Sequence, residues 1–349
     1  MAASTRNQAA WPHYMARFQP LEKLGEGING EVFKAWDTQV DRIVAVKRLS
    51  ATGNDGFIVS GLQEVLRECR SLKACQEFPS IVKLREKVVP AVESDDSFIV
   101  MEYAGRLNLR SYMQQRAQLH RGRFSESEVR RIMERILEGV KSVHGKGIMH
   151  LDIKPENVIL DDGTEDRTQR PQEEGAIQDG KLNEDNIVYT IGGFGMSRMK
   201  ERGTTQPEVI ILTPYSAPEL LLRSRVYDER VDTWGLGCIM AELLSGTGKP
   251  TFSGESDKKS MGKVSSIVGI KDWSGYSRIA QECKSNLTGK GNISRLRRRF
   301  PWHKLSSAGF EVLSGLLESN PAKRLTAEEA LAKPWFQERP RHGFGGCFR

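Results

Sequence analysis

At 349 residues with a formal net charge of +7, the chain is long enough for one large domain or two coupled lobes with a real core. No window approaches eighteen uninterrupted apolar residues, so a membrane partner is not expected, and a charge this modest for the size gives no ground for direct nucleic-acid binding. Five cysteines, Cys69, Cys75, Cys238, Cys283 and Cys347, form no close metal-type pair and read as reduced thiols of the cytoplasm or nucleus.

In chain order, residues 1–17 carry Arg6 and Arg17, no acidic side chain and no apolar core of the secretory kind. They read as a disordered leader, with an organelle transit peptide as the alternative. GEGINGEV, Gly25 to Val32, follows. A lone GxGxxG is weak evidence, because it also opens dinucleotide-binding folds in which a helix comes next. Here EVFKAW alternates as a strand, DTQVDR is turn-like and IVAVKRL is a second strand, so the glycines form a flap between strands. Such glycines let backbone amides approach phosphate oxygens, and Lys47 adds a cation. A lysine at a buried strand end needs a counter-charge, and the helical stretch 62–75 offers Glu64 and Glu68.

Further on, HLDIKPENVIL (150–160) sets an aspartate, a lysine two residues later and an asparagine five residues later before a short apolar strand. Here the chain resembles the eukaryotic protein kinases, over residues 18 to 337. The resemblance implies an α+β, bilobal protein-kinase fold: a small mostly β N-lobe (18–103), a large mostly α C-lobe (104–337) and a tail (338–349). ATP would lie in the cleft between the lobes. Asp152 would be the catalytic base, Lys154 would steady the transferring phosphate, and Asn157 would hold Mg²⁺ or Mn²⁺. Gly25, Glu26, Gly27, Gly30, Val32, Ala45, Lys47 and Glu68 would form the nucleotide site, with the hinge at Glu102 and Tyr103 receiving adenine. Lys154 is similar to the serine/threonine class, not the tyrosine class. Ala217-Pro218-Glu219 resembles the APE motif, whose glutamate would pair with Arg324, and Asp232 in VDTWGLGCIMAELLSG would brace the catalytic loop. The C-terminal half is similar to cyclin-dependent kinases. The cyclin-facing helix signature is absent, however, and Ser216 stands where an arginine usually precedes APE.

Three departures shape the functional expectation. Leu151 replaces the arginine that in relatives helps bind a phosphorylated activation loop; Arg67 and Arg198 match its two helpers, and Thr204 or Thr205 would be the phosphate's carrier. An acidic, low-apolar insert runs from Asp161 to about Asn186 and is expected to be disordered. Finally, IVYTIGGFGMSR puts Gly193 where the family keeps its metal-holding aspartate, so metal use should be weakened. Two functions stay open. One is a serine/threonine kinase acting on a protein substrate, with a regulatory subunit or an upstream kinase as further partners. The other is a pseudokinase that binds nucleotide or serves as a scaffold. RLRRRF (295–300) reads as a solvated face, with a nuclear address or an acidic-partner patch as the alternative.

Overall fold

Alternating apolar and polar residues build the strands β1 (Phe18–Gly27), β2 (Gly30–Asp37) and β3 (Arg42–Leu49), which join β4 (Leu84–Val88) and β5 (Ser97–Glu102) in an antiparallel sheet ordered β1-β2-β3-β5-β4. The computed structural model describes residues 11–27, 30–50, 61–90, 96–119, 123–169, 186–200, 211–269 and 293–337. The two-residue period of β3 sorts its side chains. Val44 and Val46 join Phe98 and Val100 of β5 in a core on one face. Ala45 and Ile99 enter a second core on the other face, shared with Val65, Cys69 and Leu72 of helix α1 (Gly61–Ala74).

The outer face of this sheet corrects one expectation. The last residues of the leader are folded: Met15 is fully buried among Phe18, Ala35, Val44 and Phe98, with Trp11 and Tyr14 packed beside it. Arg17 holds Asp37 at 2.6 Å, and the Tyr14 hydroxyl donates to the Asp96 carbonyl at 2.9 Å. Apolar surface on an otherwise open sheet face supplies the reason, since covering it releases water. Residues 1–10 lie outside the described residues.

Below the hinge the chain turns helical, through α2 (Leu109–Gln118), α3 (Glu126–Gly145), α4 (Pro218–Leu221) and α5 (Arg230–Ser245). A capping box between Ser125 and Glu128 starts α3, whose Val129, Ile132, Met133, Ile136 and Val140 form a buried stripe. Helix α5 is buried all round from Val231 to Leu244 and so becomes the centre of the lobe; Gly246 ends it in the left-handed conformation. Two small sheets lie on the cleft side. One pairs β6 (Leu107–Asn108), β8 (Val158–Asp161) and β9 (Val188–Ile191); the other pairs β7 (Ile148–Met149) with β10 (Arg198–Met199). The basic run 295–300 falls mainly on helix Ile293–Arg299, where Leu296 and Phe300 are buried and the Arg297 guanidinium stacks over Trp302. Among the described residues no helix is long and apolar enough to cross a membrane.

The expected disorder of the acidic insert does not extend to its beginning. Asp161 is the last residue of β8, and residues 162–169 rise from it to the N-lobe. There the Ile43 amide donates to the Arg167 carbonyl at 2.9 Å and Glu165 pairs with Lys34. Glu165 is met by an N-lobe cation, Lys34, and Asp161 by Arg167 of the insert itself, which a count of charges along the sequence does not reveal. Residues 170–185 lie outside the described residues.

Candidate active site

The N-lobe side of the cleft rests on one buried ion pair. Lys47 Nζ lies 2.6 Å from Glu68 Oε2, both side chains almost wholly buried. Of the two glutamates on α1, geometry selects Glu68; Glu64 faces Arg67 at 4.0 Å. Val32 stands opposite Lys47, and Lys34 opposite Ala45, so Val32 and Ala45 share the Lys47 face of the sheet. Above it, Gly25 pairs with Val32, Glu26 with Glu31 and Gly27 with Gly30. Gly30 is required by the fold, since at φ +111° a Cβ would stand 2.0 Å from the Arg48 carbonyl. A Cβ at Gly25 or Gly27 would meet nothing within 4 Å. Protein packing therefore does not demand those two glycines, and the open space fits a phosphate chain approaching the backbone. The Glu26 carboxylate is exposed and joined to Lys23 at 2.6 Å, which also holds Glu31 at 2.7 Å.

At the hinge, β5 ends with Glu102, whose amide donates to the Lys83 carbonyl at 2.9 Å. That amide is thus engaged, and the backbone outside the strand begins at Tyr103. The Tyr103 side chain is buried against Trp36 and Ile43.

The C-lobe side is the loop from His150 to Asn157. Leu151 adopts φ +65°, a left-handed conformation that is strained for a residue with a Cβ. Asp232 of α5 holds it there: Oδ1 accepts the Leu151 amide and Oδ2 the His150 amide, each at 2.8 Å, and His144 Nε2 lies 2.8 Å from Oδ2. Burial by itself would raise the Asp232 carboxyl, but the bond to His144, the nearby imidazoles and the amides outweigh it and hold it below the usual range. Asp152 follows, its Oδ2 2.8 Å from Lys154 Nζ and 2.9 Å from Asn157 Nδ2, which also donates to the Asp152 carbonyl at 2.7 Å. The predicted base, phosphate lysine and metal ligand are therefore gathered in one cluster.

Across from that cluster runs Gly192-Gly193-Phe194. The His150 ring packs edge-on against Phe194, with Nε2 2.9 Å from the Gly192 carbonyl, so the two segments are tied together. Gly193 has φ +77°, and a Cβ there would lie 2.3 Å from Asn157 Cγ and Oδ1. The Asn157 amide group occupies the room in which a side chain at 193 would begin. For a divalent cation the protein offers the Asn157 carbonyl oxygen and Asp152; among the described residues no group of three His, Cys, Asp or Glu could hold a metal. This set, one amide oxygen and one carboxylate, fits a divalent cation that takes most of its six oxygens from nucleotide phosphates and water. Glu184 and Asp185, the nearest upstream acids in sequence, lie outside the described residues, as do Thr204 and Thr205. Arg67 donates to the Gly195 carbonyl at 2.9 Å, and Arg198 is pushed down by burial and then by the charge of Arg67, so the two are neighbours.

The segment beyond is anchored twice. Glu219 and Arg324 form a fully buried bidentate pair at 2.7 and 2.8 Å. The second anchor was not visible in the sequence: Arg110 of α2 binds Glu156, Glu242 and the Tyr215 hydroxyl, joining α2, the catalytic loop, the activation segment and α5. Its partners lie 46 to 132 residues away and no local pattern connects them.

This arrangement is matched by the protein kinase domain over residues 18–336. The chain belongs to the protein kinase family. It is 40% identical over 334 residues to the "Putative cyclin-dependent kinase F-2" of Oryza sativa subsp. japonica, covering 93% of this chain and 91% of that protein. It is 33% identical over 338 residues to cyclin-dependent kinase G1 of Arabidopsis thaliana and 33% over 330 residues to human cyclin-dependent kinase 11B, again covering 93% of this chain. Those two proteins are longer, and the match covers 49% and 36% of them. Protein kinases generally use ATP and Mg²⁺, and the relatives place this kinase with the cyclin-dependent group.

Proposed function

We propose that the chain is a serine/threonine protein kinase of the cyclin-dependent-kinase-like branch, which transfers the γ-phosphate of ATP to a protein hydroxyl with weakened metal use. The observation that carries this reading is the intact Asp152–Lys154–Asn157 cluster standing opposite a closed Lys47–Glu68 pair. Asp152 Oδ2 bears the bonds to Lys154 and Asn157, so Oδ1 is the oxygen to orient a substrate hydroxyl and receive its proton. Lys154 would meet the charge on the transferring group, and Lys47 would hold the nucleotide phosphates, positioned by Glu68. ATP supplies the phosphoryl group. Adenine would reach the backbone at the hinge beside Glu102 and Tyr103, under the flap of Gly25, Glu26, Gly27 and Gly30. A protein substrate follows from this reading, with a cyclin-type subunit or an upstream kinase as regulators, in the cytoplasm or nucleus.

Gly193 favours a second reading, a nucleotide-binding or scaffolding module without transfer. One comparison separates them: wild type, Asp152→Asn and Gly193→Asp are assayed for γ-phosphate transfer to a general Ser/Thr substrate. The kinase reading expects Asp152→Asn to lose roughly 10²–10⁴-fold in rate. Equal rates for wild type and Asp152→Asn would leave only the second reading. Thermal stabilisation by ATP, with and without Mg²⁺ or Mn²⁺, tests nucleotide binding separately.

A further inference from the structure

The beginning of the acidic insert crosses from one lobe to the other behind the hinge. It leaves β8 at Asp161, close to where the hinge itself packs: Gly105 has φ +140°, and a Cβ there would lie 2.1 Å from the Leu160 carbonyl. Arg167 pairs with Asp161, and its carbonyl accepts the Ile43 amide at 2.9 Å. The β3–β5 register ends with Val44 opposite Glu102, so Ile43 is the first β3 residue with no partner on β5. The insert therefore satisfies an amide at the point where the sheet runs out.

Side chains repeat the connection. Glu165 pairs with Lys34 of β2. The Tyr103 ring has the Lys34 ammonium 5.2 Å from its centroid and the Arg167 guanidinium at 5.6 Å, within reach of cation–π attraction. The Tyr103 phenol is pushed up by burial and then by the charge of Glu165, so hydroxyl and carboxylate are neighbours. Three contacts thus join a C-lobe loop to β2, β3 and the hinge residue.

We infer that residues 161–167 form an interlobe strap, with Glu165 and Arg167 as positioning residues that hold Tyr103 and the lower end of β3 in the arrangement that accepts nucleotide. Lobes that pivot about a hinge open and close, and binding is weakened by the fraction of time spent open. The strap adds a connection on the hinge side to those that α1 and Val82 make with residues 191–197, raising the closed fraction, so it tightens nucleotide binding without touching the nucleotide. Glu165 and Arg167 act through the hinge and are not catalytic residues. The affinity part of this inference rests on the proposal that ATP binds the cleft; the existence of the strap does not.

The test uses the full chain in three forms: wild type, a Glu165→Lys variant, and a Lys34→Glu/Glu165→Lys charge exchange. Hydrogen exchange at the peptide containing Ile43 is measured without nucleotide, and ATP dissociation constants are measured in parallel. The first variant is expected to speed Ile43 exchange about 5- to 10-fold, from the loss of roughly one hydrogen bond and one ion pair, and to weaken ATP several-fold. The charge exchange should return both readouts toward wild type, which loss of general stability would not allow. If Ile43 already exchanges in wild type at the rate of a free peptide, or if the variant leaves it unchanged, there is no strap. If exchange rises but the ATP constant stays the same, the strap exists and its positioning role is overturned. If wild type binds no ATP, the proposed function and the positioning role fall together, while the exchange result still decides the strap.

Discussion

The catalytic loop and the segment facing it are built on opposite principles. From His150 to Asn157 the backbone is strained at Leu151 and held by more bonds than it needs, with Asp232 accepting two amides and His144, and Asp152 meeting Lys154 and Asn157. Packed against it on the same lobe, Gly193 takes its left-handed turn without strain and presents no side chain. One side is fixed by charges that must be matched once buried; the other carries no side chain, and Asn157 fills the room in which one would begin. Geometry and metal chemistry therefore have to be tested separately.

The braced side breaks at Asp232. Asp232→Ala removes an acceptor from three donors and frees a strained residue, a loss on the order of 5 kcal/mol in denaturant unfolding. The same carboxylate sets an acid limit. Its folded value is held below the ordinary 3.8, so its contribution is fully present above that pH and is lost as pH falls through the folded value. Stability measured from pH 6 downward should decline later and less steeply in Asp232→Asn, which begins lower. A wild type and a variant with parallel acid limbs would refute the assignment.

The next effect in size belongs to the N-lobe side. Glu68→Ala leaves the Lys47 ammonium buried without its partner 2.6 Å away, and breaking such a pair costs about 3–5 kcal/mol in the intact fold. Local opening of α1 will relieve part of this. The expected outcome is a lower melting temperature together with loss of ATP stabilisation, and Lys47→Met, which leaves the buried Glu68 carboxylate unpaired, should do the same. An unchanged melting temperature in either variant would show that the pair is not what sets stability there.

Much of this site could be read from the sequence because kinase motifs are short and each carries its chemistry in adjacent residues. HLDIKPEN specified Asp152, Lys154 and Asn157, and a strand-flap-strand reading of GEGINGEV separated it from a dinucleotide fold. The need of a buried cation for a partner narrowed the Lys47 counter-charge to Glu64 or Glu68, and the Glu219–Arg324 pair was what the kinase resemblance implied. Arg110 was not legible, because its partners Glu156, Tyr215 and Glu242 come from three separate elements. Met15 and Glu165 were misjudged for a related reason. Composition marks a segment as unable to form its own core, but it does not show that another part of the chain offers an apolar face or a cation to receive it.

The smallest and most informative effect concerns Gly193 itself. Adding any Cβ there costs about 1–2 kcal/mol for the left-handed backbone, and the added carbon would stand 2.3 Å from Asn157, whose bonds to Asp152 would have to shift. Gly193→Ala therefore measures the strain alone. Gly193→Asp bears the same strain plus repulsion from Asp152, so without metal it should be the less stable of the two. With ATP and Mg²⁺ the order should reverse, because the added carboxylate gives the cation a further ligand beside Asn157 and Asp152 and gains roughly 10- to 100-fold in metal affinity, about 1.4–2.8 kcal/mol. Thermal shifts of the two variants, each with ATP and with or without Mg²⁺, check this directly. If Mg²⁺ and ATP stabilise Gly193→Ala as much as Gly193→Asp, then Asn157 and the phosphates suffice to hold the metal, and the missing aspartate at this position does not weaken metal use.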